Sequence, residues 1–342
     1  RRCTTRAARS VEPSRSSPSA PGADQPAGMP SAPPHPLLPW IEGYAVRLGS
    51  PLTSPTAWVT TASGAELAFV GGLVVKLHHP RTDVAELRTR LALATDPALA
   101  AYLVLPVSSE VAVAPDGRAV TAWPRVEVLD PADADREEAT VPWTDAGRLL
   151  AGLHQARPLG SMPVHGGRAR LRRAVVRAEG GADGDPRLGM VAAAGQRVLA
   201  GLDLAAADPA SRPDRPLTVV HGDWHLGQLG RVDGAWRLLD LDDLGWGDPA
   251  WDLARPAGFW AAGLLSTDDW EGFLAAYRAA GGPGVPVTGD PWPALDLPAR
   301  AAVVIAATRA VGAVGAVGAR RSGADTHSDH TAEALLDACR KM

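Results

Sequence analysis

The stretch 217–254, LTVVHGDWHLGQLGRVDGAWRLLDLDDLGWGDPAWDLA, constrains this chain more than any other. Two short aliphatic runs, 217–220 and 237–241, have the composition of strands. Asp233-Gly234 between them is a tight-turn signal. Asp223 follows the first run and Asp240 lies inside the second. A hairpin of this layout brings Asp223, Gln228 and Asp240 together. Two carboxylates and an amide are hard oxygen donors. They suit Mg²⁺, which keeps several waters and takes one or two protein carboxylates beside phosphates. The competing reading is that these acids only cap turns and helices, as Asp does routinely.

The spacing has a family shape. His221-Gly222-Asp223-x-His225-x-x-Gln228 resembles the catalytic loop of the aminoglycoside phosphotransferase family of small-molecule kinases. Leu239-Asp240, then Gly247-Asp248-Pro249-x-x-Asp252-Leu253-Ala254, resembles that family's metal-binding segment. Both blocks stand in family order. The His-Leu-Gly-Gln form is similar to that of bacterial maltose and glucosamine kinases, whereas the GDPAWDLA ending is closer to the antibiotic phosphotransferases.

The resemblance implies an α+β, two-lobed, protein-kinase-like fold. It has an N-terminal lobe with an antiparallel sheet and a helix, and a mostly helical C-terminal lobe. It implies ATP (or GTP) and Mg²⁺ as cofactors. Asp223 would accept the proton of an acceptor hydroxyl, and Asp240 and Gln228 would bind the metal. Gln228 stands where the family usually has Asn. His221 would brace the loop, and Asp248 and Asp252 would hold it through backbone N–H groups. The implied reaction is phosphorylation of a hydroxyl on an aminoglycoside or other antibiotic, as in antibiotic resistance. A sugar or amino-sugar kinase and a catalytically inactive nucleotide-binding pseudokinase are the alternatives.

Length and composition agree with two lobes. The chain has 342 residues, 46% of them hydrophobic and 21% charged, enough for two cores. A formal net charge of −4 gives no footprint for nucleic acid. Cys3 and Cys339 lie at opposite ends and make neither a metal spacing nor a disulfide framework, which fits a reducing cytoplasm. Residues 1–36 are rich in Arg, Ser, Pro and Ala, and read as a disordered tail, with Met29 a candidate natural start. The nucleotide lobe is then 37–124 and the catalytic lobe 125–342.

In the first lobe, residues 57–61, 66–70 and 73–77 read as strands joined by Ala62-Ser63-Gly64-Ala65 and Gly71-Gly72. Lys76 sits inside the apolar run LVVKL, where a charge is unfavourable unless used. In a kinase-like fold it contacts the α/β-phosphates. Otherwise it is the solvent-facing lysine of an edge strand. Ser63 and Gly64 either cover phosphates with backbone N–H groups or form an ordinary turn. Glu86, on a helix beginning near Asp83, pairs either with Lys76 or with Arg90 one turn on. Residues 102–107 and 119–123 read as two further strands. The backbone of Trp123 and Arg125, around Pro124, is the candidate adenine hinge.

In the second lobe, 143–155 reads as a helix whose apolar face includes a structural His154. The basic run 168–177 reads as a solvated face with a flexible Gly-rich loop beside it. Helices follow at 251–263 and 267–280. An apolar run at 299–319, interrupted by Arg300 and Arg309, reads as buried helix and not as a membrane span. His225, Trp251, Trp260 and Asp269 are candidates to meet the small-molecule acceptor. Asp242 and Asp243 are extra acids beside the metal segment, either drawing a cation or facing solvent. Nothing in the sequence sets the oligomeric state.

Overall fold

Apolar residues at every second position bury one face of a sheet against a short helix. The computed structural model describes residues 35–61, 64–129, 141–207, 216–318 and 326–342. The expectations for the tail up to residue 34 and for Ser63 fall outside the described residues. Helix α1 (Leu38–Arg47) precedes strands β1 (Ala57–Thr60), β2 (Glu66–Val70) and β3 (Leu73–Leu77). Helix α2 (Val84–Ala94) starts at Asp83, whose side chain accepts from the Ala85 and Glu86 N–H groups, and α3 (Pro97–Ala100) starts at Asp96 in the same way. Strands β4 (Ala112–Val113) and β5 (Ala119–Pro124) complete a five-stranded antiparallel sheet, ordered β1-β2-β3-β5-β4. Ala68, Val70, Leu73, Val75, Leu77, Val120 and Ala122 pack with Ile41, Tyr44 and Ala45 of α1 in one cluster.

Lys76 pairs with Leu67 on one side and Thr121 on the other, so its strand is central. The edge-strand reading of this lysine therefore fails. The fourth strand also differs from expectation. Residues 102–107 do not join the sheet as a strand. Leu238 instead donates to the Tyr102 carbonyl and accepts from the Val104 N–H, both at 2.8 Å. Leu103 and Val104 are buried there, and Leu103 belongs to the core of the second lobe. An aliphatic run has no period that says which sheet it will serve.

The chain crosses between sheets at 125–126. Strand β6 (Glu127–Val128) pairs with β8 (Leu229–Val232), which pairs in turn with β9 (Ala235–Leu238). Before β8 come α4 (Trp143–Gln155), α5 (Gly167–Gly181), α6 (Pro186–Ala207) and β7 (Thr218–Val220). After β9 come β10 (Gly245–Gly247), paired with β7, then α7 (Ala250–Ala261), α8 (Thr267–Ala279), α9 (Trp292–Gly318) and α10 (Thr326–Arg340). Leu150 and Leu153 of α4 meet Val219, Trp224, Leu253, Phe273 and Tyr277 in the main core. A second core joins α5, α6, α9 and α10 through Leu171, Val175, Val191, Val198, Val304 and Leu335. Among the described helices, α6 alone is long and apolar enough to cross a membrane. Its buried side contributes Val191, Ala194 and Val198 to that second core.

Helices α4 and α8 approach closely at Gly147. A Cβ added there would lie 2.5 Å from the Phe273 carbonyl oxygen and 3.0 Å from the Tyr277 nitrogen. Alanine is favoured over glycine in a helix by about 1 kcal/mol. Overpacking against backbone, which cannot rotate away, costs about 1–3 kcal/mol. Gly147→Ala should therefore lower the thermal midpoint; a higher midpoint would show that the two helices can separate freely.

Candidate active site

The site is built on the buried carboxylate of Asp252, in the first turn of α7. Its Oδ2 accepts from the His221 N–H at 2.7 Å and from His154 Nε2 at 3.0 Å, and its Oδ1 accepts from the Gly222 N–H at 2.8 Å. Burial opposes the charge on Asp252, but His154 and these N–H groups outweigh it and hold the carboxyl below its ordinary range. The chain of donors continues outward. The Gly284 N–H donates to the Tyr277 hydroxyl at 2.8 Å, and that hydroxyl lies 2.7 Å from His154 Nδ1. A His154 ring with its proton on Nε2 leaves no donor in this chain unsatisfied.

The clamp fixes the loop after β7. Gly222 adopts φ +84°, and a Cβ there would meet the Asp243 carbonyl at 2.5 Å, so no other residue fits. Trp224, next but one, stacks on Phe273 at 5.3 Å and is buried. Asp223 is thus held between an anchored glycine and an anchored tryptophan. The His221 ring reaches across and places Nε2 2.7 Å from the Leu239 carbonyl oxygen. This ties the Asp223 loop to the residue before Asp240.

Asp240 lies past the end of β9, not inside a strand as its sequence position suggests. It adopts φ +60°, which breaks the strand and turns its carboxylate back toward the first lobe. There it meets Lys76 Nζ at 2.7 Å, and Asp242 meets the same ammonium at 2.8 Å. Burial alone would lower the Lys76 pKa. The two carboxylates reverse this and raise it above the ordinary lysine range. Burial likewise opposes ionisation of Asp240, and Lys76 overrides it and holds the carboxyl well below its usual range. Behind Lys76, burial brings His78 down to about 4, so it is neutral, 2.9 Å from the Thr121 hydroxyl. Gln228 ends a single 3₁₀ turn, and its carbonyl accepts from the Leu239 N–H at 2.9 Å, which sets it beside Asp240.

Several expectations are decided or corrected by this geometry. Glu86 pairs with Arg90 at 3.0 Å and is half exposed, while Lys76 is occupied by the two aspartates. The Arg125 N–H already donates to the Gly72 carbonyl at 2.8 Å, so it is not an open adenine donor. The Arg125 guanidinium lies 5.6 Å over the Phe69 ring. Trp123 packs against the core with its indole N–H on Thr121. The basic run 168–177 is not wholly solvated. Arg170 turns inward, reaches Asp223 at 2.7 Å, and also bonds Asp243.

Gly166 and Gly167 make that approach geometrically feasible. A Cβ on Gly166 would fall on the Asp243 carboxylate, and one on Gly167 would meet the Trp251 ring at 2.8 Å. They are close-approach glycines, not a flexible loop. The cleft beside Asp223 is lined by Arg170, Trp224, Trp251, Arg255 and Ile305. Trp251 reaches it with its ring tilted on His165. Trp260 instead stacks between Trp270 and Trp292, and Asp269 bonds Ser266 at the start of α8, so neither lines this cleft. Asp248 accepts from the Ala250 N–H at 3.0 Å at the start of α7. His225 is driven well below its ordinary range by burial first and by Arg255 next. Gly64, at φ +82°, faces the His79 ring.

A two-lobed fold with a buried lysine facing an aspartate across the lobes, and a second aspartate in a fixed loop, defines a protein-kinase-like small-molecule phosphotransferase. The chain belongs to the Phosphotransferase enzyme family, whose profile matches residues 45–296. Solved structures share the fold. A choline/ethanolamine kinase family protein from Mesorhizobium loti has a TM-score of 0.51 at 16% identity, covering 88% of this chain and 94% of that one. Spectinomycin phosphotransferase, solved with ADP and spectinomycin, gives 0.52 at 10% identity, covering 88% and 97%. A choline kinase from Streptococcus pneumoniae gives 0.51 at 13% identity, covering 90% and 99%. No curated protein matches the chain by sequence.

Asp252→Asn removes an acceptor from a fully buried set of donors, which costs about 1–3 kcal/mol. It should lower the denaturation midpoint. The pH dependence has a sign. Asp252 is depressed in the folded state, so its contribution is fully present above the unfolded carboxylate range, about 3.9, and disappears as pH falls below it. Between pH 5 and 2 the wild type should therefore lose more stability than Asp252→Asn; equal losses would remove Asp252 as a charged clamp.

Proposed function

We propose that this chain transfers the γ-phosphoryl group of ATP to a hydroxyl of a small molecule, with Mg²⁺. The observation that carries the reading is the Lys76–Asp240 contact at 2.7 Å across the two lobes. Phosphoryl transfer asks a protein mainly for positioning and charge neutralisation. Lys76 sits where nucleotide phosphates would replace part of its carboxylate company. GTP is the other donor compatible with the same contacts.

The residues fit a magnesium ion. Two carboxylates, Asp240 and Asp242, face one ammonium, which leaves local negative charge for a cation. Gln228, whose backbone carbonyl bonds the Leu239 N–H, carries a neutral hard oxygen on the adjoining turn. Among the described residues no three His, Cys, Asp or Glu side chains converge on one metal position. Mg²⁺ bound through one or two carboxylates and several waters needs no such convergence. Asp240 and Gln228 would hold it, and when bound it neutralises phosphate charge. Asp223 orients the acceptor hydroxyl and takes its proton. Arg170 holds the Asp223 carboxylate in place from α5.

A nucleotide donor fits a cytoplasmic enzyme, and neither nucleic acid nor a membrane enters this reading. The acceptor classes implied by the motifs are antibiotics and sugars. A coupled assay of ADP release over aminoglycosides, other antibiotics, free sugars and hydroxy acids tests the proposal. At least one acceptor should raise ADP release well above the hydrolytic background. Nucleotide binding with no acceptor-dependent release would instead support a pseudokinase.

Two variants check the roles. Asp223→Asn should reduce turnover by about 10²–10⁴, the contribution of a positioned proton acceptor, and leave nucleotide affinity nearly unchanged. Turnover above about a tenth of wild type would remove Asp223 as the base. Gln228→Ala should raise the Mg²⁺ requirement more than it lowers the limiting rate, because water partly replaces a neutral ligand. An unchanged Mg²⁺ curve would leave Gln228 as a loop-packing residue.

A further inference from the structure

The charge inside the acceptor cleft is opposite to what an aminoglycoside needs. Arg170 and Arg255 line it. Arg309 of α9 is close enough to both to depress them electrostatically. The nearby carboxylates are Asp223 and Asp243, and Arg170 takes both. Among the described residues, neither Arg255 nor Arg309 has a carboxylate within 4.0 Å. Arg255 rests its guanidinium over the Phe259 ring at 5.0 Å and otherwise faces the cleft beside Asp223. Desolvation by the surrounding protein, opposed by the charge of Asp223 and helped by Arg309 and Arg170, brings its pKa down to about 10, so it is still charged at neutral pH. His225 beside it stays neutral and adds no further positive charge.

A partly buried guanidinium that no carboxylate contacts has donors to offer an anionic ligand. Its planar fork of donors matches a carboxylate or phosphate and gains nothing from an ammonium. The remaining walls, Trp224, Trp251 and Ile305, suit a carbon skeleton. We propose that the acceptor is a small hydroxylated anion, a hydroxy acid whose carboxylate pairs with Arg255 while its hydroxyl lies at Asp223. This rests on the phosphotransferase reading above and gives that site its substrate class. It turns the acceptor away from polycationic aminoglycosides. Bringing an ammonium-rich ligand against Arg170 and Arg255, with the charge of Arg309 adding to theirs, is repulsive in a low-dielectric cleft.

The test separates this proposal from the reading beneath it. ADP release is compared for matched acceptor pairs, each hydroxy acid beside its neutral amide, with sugar phosphates and aminoglycosides as further arms. Acid binding is measured independently of turnover by the fluorescence of Trp224 and Trp251, with ADP and Mg²⁺ present. The acid should be preferred over its amide by at least about 10-fold in kcat/KM, the range that a lost charge-assisted hydrogen bond commands. Arg255→Gln should raise the KM for the acid about 10-fold, narrow the acid–amide ratio, and leave nucleotide affinity unmoved. Arg255→Lys should restore part of the preference, and Arg309→Gln should weaken it without touching the Phe259 contact.

Turnover of aminoglycosides or amides at rates equal to the acids overturns the anionic acceptor and keeps the kinase. Acid binding that needs Arg255 but gives no ADP overturns the kinase and keeps the anion site. A loss of nucleotide affinity in Arg255→Gln with an unchanged acid–amide ratio assigns Arg255 to the donor phosphates and overturns the proposal. Preference for sugar phosphates over carboxylates replaces the hydroxy acid by a phosphorylated acceptor, and so overturns the carboxylate assignment.

Discussion

The loop that carries Asp223 depends on one buried charge. Asp252 has no solvent to stabilise it, and it stays ionised because three N–H donors converge on its two oxygens. Two of those donors are the backbone N–H groups of His221 and Gly222, immediately before Asp223. Removing the carboxylate would strand these donors in the core, where an unpaired polar group is expensive. The conformation of the loop, including the positive φ of Gly222, is therefore set from underneath by α4 and α7. Nothing on the surface has to order it.

The second organising contact runs between lobes. Lys76, buried on the central strand, is compatible with its surroundings only because Asp240 and Asp242 reach it from the loop after β9. The two halves of the site have opposite electrostatic character. Where the first lobe meets Asp240, carboxylates outnumber the lysine, and a metal with phosphates fits. Beside Asp223, guanidinium groups outnumber carboxylates, and an anion fits. Asp223 lies at the junction, tied to Arg170, and the His221 ring couples it to the Asp240 segment.

Much of this was legible in the sequence where period and turn chemistry agree. Strands β2 and β3 follow from apolar runs on either side of Gly71-Gly72, and α4 from its apolar spacing. Lys76 stood out as a charge in an apolar run. The 102–107 segment looks like a strand of the first sheet, but its residues 102–104 serve a β9 contact distant in sequence, which no local pattern encodes. The sequence does not single out Arg170, because a run of arginines on a helix looks solvated whichever one turns inward. The usable signal was Gly166-Gly167 just before it, residues whose missing side chains let α5 press against Asp243 and Trp251. Arg255 sits one residue past the recognisable GDPAWDLA segment and carried no signal of its own. Its meaning comes from Arg170 and Arg309, brought beside it from elements far apart in the chain.

These features belong to a small-molecule phosphotransferase; a metal–nucleotide donor side and an anionic acceptor side are the proposals made for it. The central claim is that phosphorus moves from nucleotide to a carbon-bound oxygen. The most direct measurement follows the γ-phosphate by ³¹P NMR during incubation with ATP, Mg²⁺ and a set of small hydroxy acids. The account predicts a new phosphomonoester resonance that grows in step with ADP and is absent with Asp223→Asn. ADP accompanied only by inorganic phosphate, or an ester that forms equally well without the Asp223 carboxylate, would contradict it.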